Sequence, residues 1–287
     1  MKNKTIAVAG YGYVGKAVVD FFKRKYKIRI FDPACIGNEG YEDFKYVGSL
    51  EDLSGADLLV VCVPTPMKAD RTCDTSIVEE VIDKVNVNNV LIKSTVTPGT
   101  TDMLGILYKG VNIAFSPEYI GEGGYHDPFG FANSMFNTPF WVVGGTDLAV
   151  NAVLDLVVPI GGPAKTYYKC TAKEAEVIKY MENLYFGIKI TFAQQMYDAC
   201  QALGVDWYRV REGWALDPRV DKMHTAVFPN NRGFGGKCLP KDLNAFVQSC
   251  RKVGFEFSLL QTAIEINEKN YNPDAKPNIS KEEKQKG

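Results

Sequence analysis

Apolar and polar positions follow two regimes along this chain. Through roughly its first half, short β-branched and apolar runs alternate with longer stretches that repeat at helical spacing. Thr5–Ala9, Lys27–Phe31, 58–63, 90–92, 111–115 and 140–143 read as strands. Between them, Val14, Val18, Val19 and Phe22 recur at helical intervals, and 76–85, 101–108 and 147–157 carry the same signature. Strands that alternate with helices predict a mostly parallel sheet covered on both faces. After Pro163 the pattern changes. Residues 165–168 offer a last strand, and 172–203 then read as one long helix, with Val177, Tyr180, Met181, Leu184, Ile188 and Phe192 as its apolar stripe and Gly204 as its stop. Further helices are expected at 206–212, 243–253 and 259–270. From Asn272 the chain is rich in Pro, Lys and Glu without apolar period, the pattern of a disordered tail.

The first strand runs into Gly10-Tyr11-Gly12-Tyr13-Val14-Gly15, a helix follows, and the second strand ends at Asp32. Strand, glycine turn, helix, strand and acid in this order are the dinucleotide-binding arrangement. Gly10 permits the turn, Gly12 lets a pyrophosphate approach the backbone, and Gly15 lets the helix lie on the sheet. Tyr13 and Val14 open the helix whose N-terminus receives the phosphates. Asp32 accepts from ribose hydroxyls and repels a 2′-phosphate, so NAD is favoured over NADP. The fold class expected is α/β: a Rossmann-type doubly wound parallel sheet over 1–170, then an all-helical central domain with one long helix over 171–271, then the tail 272–287.

Ligands of such sheets bind beyond the carboxyl ends of the strands. Asp32, Thr65, Thr95 and Glu118 all lie at or just past such ends and together suggest one rim. On the long helix, Lys179 and Asn183 are four apart and share a face. They are either solvated surface residues or point together into a site. The strongest local signal is Gly233-Phe234-Gly235-Gly236-Lys237-Cys238-Leu239-Pro240-Lys241-Asp242. Adjacent glycines let backbone approach a ligand. Cys238 then stands near the N-terminal end of the next helix, where the dipole favours a thiolate, with Asp242 about one turn on. A covalent nucleophile with an acid helper and a buried structural cysteine beside a turn both fit this pattern.

Composition narrows the classes. The 287 residues allow two domains, and a net charge of −1 gives no field to attract nucleic acid or anionic membrane. No apolar run approaches a transmembrane length, and the N-terminus enters a strand directly, with no signal peptide, so a cytoplasmic protein is expected. Seven irregularly spaced cysteines suit reduced thiols. The two histidines, His126 and His224, form no ligand spacing with any cysteine pair, and no metal is expected.

In order along the chain stand Gly10-Tyr-Gly-Tyr-Val-Gly15, Val63-Pro-Thr-Pro66, Ser94-Thr-Val96, Ser116-Pro-Glu118, Ala175-Glu-Val-Ile-Lys179 with Asn183, Asp217-Pro-Arg219 and Phe234-Gly-Gly-Lys-Cys-Leu-Pro-Lys-Asp242. With these, the chain resembles the nucleotide-sugar dehydrogenases of the UDP-glucose 6-dehydrogenase and GDP-mannose 6-dehydrogenase type from about Lys4 to about Asn270. The resemblance implies a four-electron, NAD-dependent oxidation of a sugar primary alcohol to a uronate. It implies that Lys179 and Asp242 remove the hydroxyl proton, that Lys179, Asn183 and Thr95 stabilise an oxyanion, and that Cys238 forms a thiohemiacetal and then a thioester. It implies that Glu118 assists hydrolysis, with Glu122, Arg219, Phe234 and Gly235 on the substrate side, and that the long helix packs on its copy in a homodimer. Against the family pattern, the second Rossmann-like domain and its Lys…Thr-Asp-Asp-x-Arg-x-Ser-Pro signature are expected to be absent, and Gly123 to Pro128 depart from the usual Glu-Gly-x-Ala. Two other readings remain at this point: a two-electron β-hydroxyacid dehydrogenase of the 6-phosphogluconate dehydrogenase type, and a catalytically idle NAD-binding partner protein.

Overall fold

The computed structural model of the chain describes residues 4–38, 40, 44–121 and 134–273, in two compact units. The first takes residues up to Thr65 and from Asp74 to Lys179; the second takes Pro66–Cys73 and the chain from Tyr180 on.

In the first unit, β1 (Thr5–Ala9), β2 (Lys27–Phe31), β3 (Phe44–Tyr46), β4 (Leu58–Val61), β5 (Asn89–Ile92), β6 (Asn112–Phe115), β7 (Phe140–Gly145) and β8 (Thr166–Cys170) form one sheet in the order β3-β2-β1-β4-β5-β6-β7-β8. Every neighbouring pair is parallel except β6 and β7. The helices are α1 (Tyr13–Phe22), α2 (Ser76–Lys84), α3 (Thr100–Leu107), α4 (Asp147–Gly161) and the start of α5 (Ala172–Ala202). Because side chains alternate across a strand, β1 sends Ile6 and Val8 into a core with α1 and α4, and Ala7 and Ala9 into a second core with α2. That two-sided burial is why the strands read as unbroken apolar runs. β1 pairs with both β2 and β4, and the strand order reverses there. This is the topological switch point where such sheets bind ligands.

The second unit holds the rest of α5, with α6 (Trp207–Trp214), α7 (Leu239–Lys252), α8 (Ser258–Ile266) and a π-helical turn over Asn267–Tyr271. Tyr180, Leu184, Phe234, Leu243, Val247, Leu260 and Ile264 form its main core. A Cβ on Gly187 would sit 2.7 Å from a Leu243 methyl, so α5 and α7 pack closely here and a larger residue would make the Leu243 side chain shift. α7 starts at Leu239, four residues before the apolar run suggests. Pro240 sits in its first turn, where its missing N–H costs nothing. The apolar stripe expected on α5 needs correction: Met181 and Phe192 are exposed. Its buried face includes Glu176, Lys179, Asn183, Thr191 and Gln194. Among the described residues no helix is long and apolar enough to cross a membrane.

Candidate active site

At the switch point, Gly10 takes a φ of 92° and donates to the Phe31 carbonyl at 2.8 Å. A Cβ there would lie 2.5 Å from the Cys62 carbonyl oxygen, so the turn is closed to any other residue. Gly12 is the opposite case: a Cβ would meet nothing within 4 Å, and its absence leaves open room over the backbone. Gly12 also caps α1 without any side-chain bond, and the first turn of α1 carries no acid, so its N–H groups keep their capacity for an anion. Tyr13 is largely exposed at that end, while Val14 packs against the core. Asp32 follows β2 directly. Its carboxylate accepts the Tyr11 N–H at 2.7 Å and the Ala34 N–H at 2.9 Å. One acid therefore pins the glycine turn and keeps a half-buried negative charge beside it. An uncapped helix start, an open backbone at Gly12 and this charge together fit NAD.

Beyond the ends of β4, β5 and β6 the same unit gathers polar groups. Thr65 donates its hydroxyl to the Thr95 carbonyl at 2.7 Å, and Ser94 donates to the Val63 carbonyl at 2.7 Å, tying two loops together. Glu118 is buried. Its Oε1 accepts the N–H groups of Tyr119 and Ile120, both at 2.7 Å, and its Oε2 lies 3.3 Å from the Lys93 ammonium. A cavity of about 20 Å³ beside the pair, large enough for one water, is lined by Lys93, Ser116, Glu118, Thr138 and Trp141. Burial, with the Glu118 carboxylate adding to it and Lys93 opposing, pushes the nearby Cys62 thiol far above the ordinary value, so that sulfur is inert. Lys179 is buried, with its ammonium 5.6 Å from the centre of the Tyr119 ring. One turn earlier on α5, fully buried Glu176 accepts from the Gly99 N–H at 2.5 Å, the Thr101 N–H at 2.8 Å and the Thr101 hydroxyl at 2.7 Å. It thereby caps α3 and fixes the end of the loop that carries Thr95. Burial raises its pKa despite those bonds.

In the second unit, Cys238 is the N-cap residue of α7 and is exposed. Its carbonyl accepts the Asp242 N–H at 2.8 Å. Asp242 is almost fully buried in the first turn. The Asn183 amide donates to its Oδ2 at 2.6 Å, and the Lys241 ammonium is 2.6 Å from its Oδ1. Burial works against the charge on Lys241, yet Asp242, and more weakly Cys73 and Cys238, outweigh it and set its pKa above the ordinary lysine value. The glycine loop before the thiol is clasped from the π turn. Buried Asn267 accepts the Phe234 N–H at 2.8 Å and donates to the Phe234 carbonyl at 3.0 Å, and Gly235 lies against Asn272.

Of the residues expected from sequence, the first unit thus brings together Thr65 with Thr95, and Glu118 with the Tyr119 that lies under Lys179. The second joins Asn183 to Asp242 one turn from Cys238. Arg219 is not brought to the cysteine loop: it is highly exposed, and its guanidinium is bound to Asp217 at 2.5–3.0 Å. Glu122 and the tail beyond Pro273 lie outside the described residues. Three contributors went unread. Lys93 follows a buried strand and directly precedes Ser94, while Lys241 and Glu176 lie inside motifs beside Asp242 and Lys179; sequence alone assigns none of the three a role.

Comparison with known proteins points to one family. Residues 41–157 match the model of the UDP-glucose/GDP-mannose dehydrogenase family, NAD binding domain, and residues 173–269 match that family's central domain. A UDP-glucose 6-dehydrogenase of Haloferax volcanii is 31% identical over 241 residues, covering 76% of this chain and 54% of that protein. A UDP-glucose dehydrogenase structure from Pyrobaculum islandicum superposes with a TM-score of 0.79 at 25% identity, over 92% of this chain and 68% of the other. A UDP-D-ManNAc dehydrogenase structure from Pyrococcus horikoshii gives 0.74 at 26% identity, over the same shares. The chain spans about half the length of the curated relatives it matches.

Proposed function

We propose, for a chain that belongs to the UDP-glucose/GDP-mannose dehydrogenase family, an NAD-dependent four-electron oxidation of a nucleotide-sugar primary alcohol, of the UDP-glucose kind, to the uronate. The observation that carries the reading is the exposed Cys238 thiol at the N-cap of α7, with the buried Lys241–Asp242–Asn183 cluster in and beside the first turn. When bound, NAD accepts the hydride of each oxidation. Gly10, Gly12, Gly15, Tyr13, Val14, Asp32, Thr65 and Thr95 form its cradle.

Asp242 and Lys179 handle the proton that leaves the substrate hydroxyl. Lys179, Asn183 and Thr95 stabilise the oxyanions. Cys238 sulfur adds to the aldehyde carbon as the carbonyl oxygen takes up a proton, which gives a thiohemiacetal. Loss of hydride from that carbon and of the proton from its oxygen gives a thioester. Water then adds to the thioester, Glu118 accepts its proton, and the acid leaves as the thiol is restored. The covalent bond keeps the aldehyde from escaping between the two oxidations. The substrate side is Phe234 and Gly235, with Glu122, and with Arg219 once it releases Asp217.

The exposed row Met181, Tyr185 and Phe192 on α5, with the Trp214 ring 6.0 Å from Phe192, supports a homodimer through this helix. A Cys238→Ser variant supplied with UDP-glucose and NAD tests the chemistry: the acid should be absent from its products by mass spectrometry. Acid formation at the wild-type rate would remove the thioester step.

A further inference from the structure

Lys93 is 4% exposed, and nothing in the reaction above uses it. Its ammonium is held on every side by its own unit. It donates to the Pro117 carbonyl at 2.8 Å, lies 3.4 Å from the Ser116 hydroxyl and 5.2 Å from the centre of the Trp141 ring, and faces Glu118 Oε2 at 3.3 Å. A lysine is expensive to bury, and a surface lysine would end this strand as well. Here the charge is fixed by a carbonyl and an indole face, so it cannot follow the carboxylate if Glu118 moves.

The Glu118 carboxylate is divided accordingly. Oε1 is spent on two backbone N–H groups, which fix the side chain over its own turn. Oε2 is buried and has no hydrogen-bond donor among the described residues; its Lys93 contact is an ion pair, and both residues line the cavity that is large enough for one water. The two oxygens are thereby made unequal by the fold, and Oε2 is the one left to accept a proton.

We propose that Lys93 is a positioning residue for Glu118: it holds the carboxylate so that Oε2 faces the water that cleaves the thioester. The claim rests on the assignment of Glu118 to hydrolysis, and a double-mutant cycle separates the two. Wild type, Lys93→Met, Lys93→Arg, Glu118→Gln and the Lys93→Met/Glu118→Gln double variant are compared. Each is given UDP-glucose and NAD, acid formation is timed in single turnover, and the acyl-enzyme on Cys238 is followed by intact-protein mass.

Lys93→Met should slow acid formation by about tenfold or more, the size expected when a general base is misplaced. KM should stay within about twofold, and acyl-enzyme should accumulate. Lys93→Arg should recover part of the rate. The double variant should be no slower than Glu118→Gln alone, because a positioning residue has nothing left to position.

If the Lys93→Met and Glu118→Gln effects multiply in the double variant, the proposal is overturned while the role of Glu118 stands. If Glu118→Gln leaves acid formation unchanged, or wild type forms no acid, the reading beneath it has failed and the proposal falls with it. Should Lys93→Met not fold, having left a buried carboxylate unpaired, the Arg variant and the charge-free double variant still decide. A Lys93→Arg rate equal to that of the double variant counts against positioning.

Discussion

Replacing Glu176 with alanine removes the acceptor of three donors at once: the Gly99 N–H, the Thr101 N–H and the Thr101 hydroxyl. Each donor abandoned in the interior costs about 1–3 kcal/mol. Against this stands the relief of no longer burying a carboxylate, which is substantial here because burial outweighs the bonds in setting its pKa. The net expectation is a loss of about 3 kcal/mol, at the upper end of ordinary single substitutions. With a urea m-value of about 2–3 kcal/mol/M, the midpoint should fall by about 1–1.5 M. Circular dichroism in urea at pH 7 measures it. A fall below about 0.3 M, beneath the scale of one lost hydrogen bond, would show that the α3 cap is not structural.

The sign of the pH effect is a second check on the same residue. A carboxylate whose folded pKa is raised binds more protons folded than unfolded. Its contribution to stability is therefore most favourable below the unfolded carboxylate value and declines as pH rises toward the folded one. The stability of wild type minus that of Glu176→Gln should fall across this window and then level off. A difference that grows with pH would contradict the assignment.

Gly10→Ala, at a positive φ with its Cβ 2.5 Å from the Cys62 carbonyl, should destabilise the first unit by at least about 2 kcal/mol in thermal or urea unfolding, whereas Gly12→Ala, into open space, should leave stability within about 0.5 kcal/mol and weaken NAD binding by about tenfold in calorimetry. Asp32→Ser should narrow the preference for NAD over NADP, read as the ratio of the two dissociation constants; an unchanged ratio would dismiss the carboxylate as the selector. Asp242→Asn leaves the buried Lys241 ammonium without its counter-charge and should cost about 3–5 kcal/mol in urea unfolding; a loss under about 1 kcal/mol would mean the 2.6 Å pair does not persist in solution. His224 is held below the ordinary histidine value mainly by burial, so its share of stability is present above the unfolded value and lost as pH falls toward the folded one; His224→Phe should flatten that loss.

Much of the fold could be read because its strands are buried on both faces: β1, β4 and β5 have almost nothing but apolar residues, and the helices between them keep regular stripes. β3 could not, since Phe44–Tyr46 is a three-residue edge strand with no period to detect. The start of α7 was hidden by Pro240, which reads as a breaker inside a helix and as a starter in a first turn. α5 misled in the other direction. Hydrophobicity marks Met181 and Phe192 for the interior, while the buried face carries Glu176, Lys179 and Asn183. Local pattern weighs side chains by transfer from water, and these three are buried by the partners they meet: two backbone N–H groups with a hydroxyl, a tyrosine ring and a carboxylate. The same limit hid Lys93, since the pairing of Glu118 with a lysine 25 residues earlier is a fact of strand order, β5 beside β6.

The stoichiometry of NADH released per molecule of nucleotide sugar consumed by the purified chain, with the product identified in the same sample, tests most directly whether one sulfur holds the aldehyde through both oxidations. Two NADH per uronate, with Cys238→Ser unable to form the acid, is the expected result. One NADH per sugar, with an aldehyde or ketone as the end product, would contradict it.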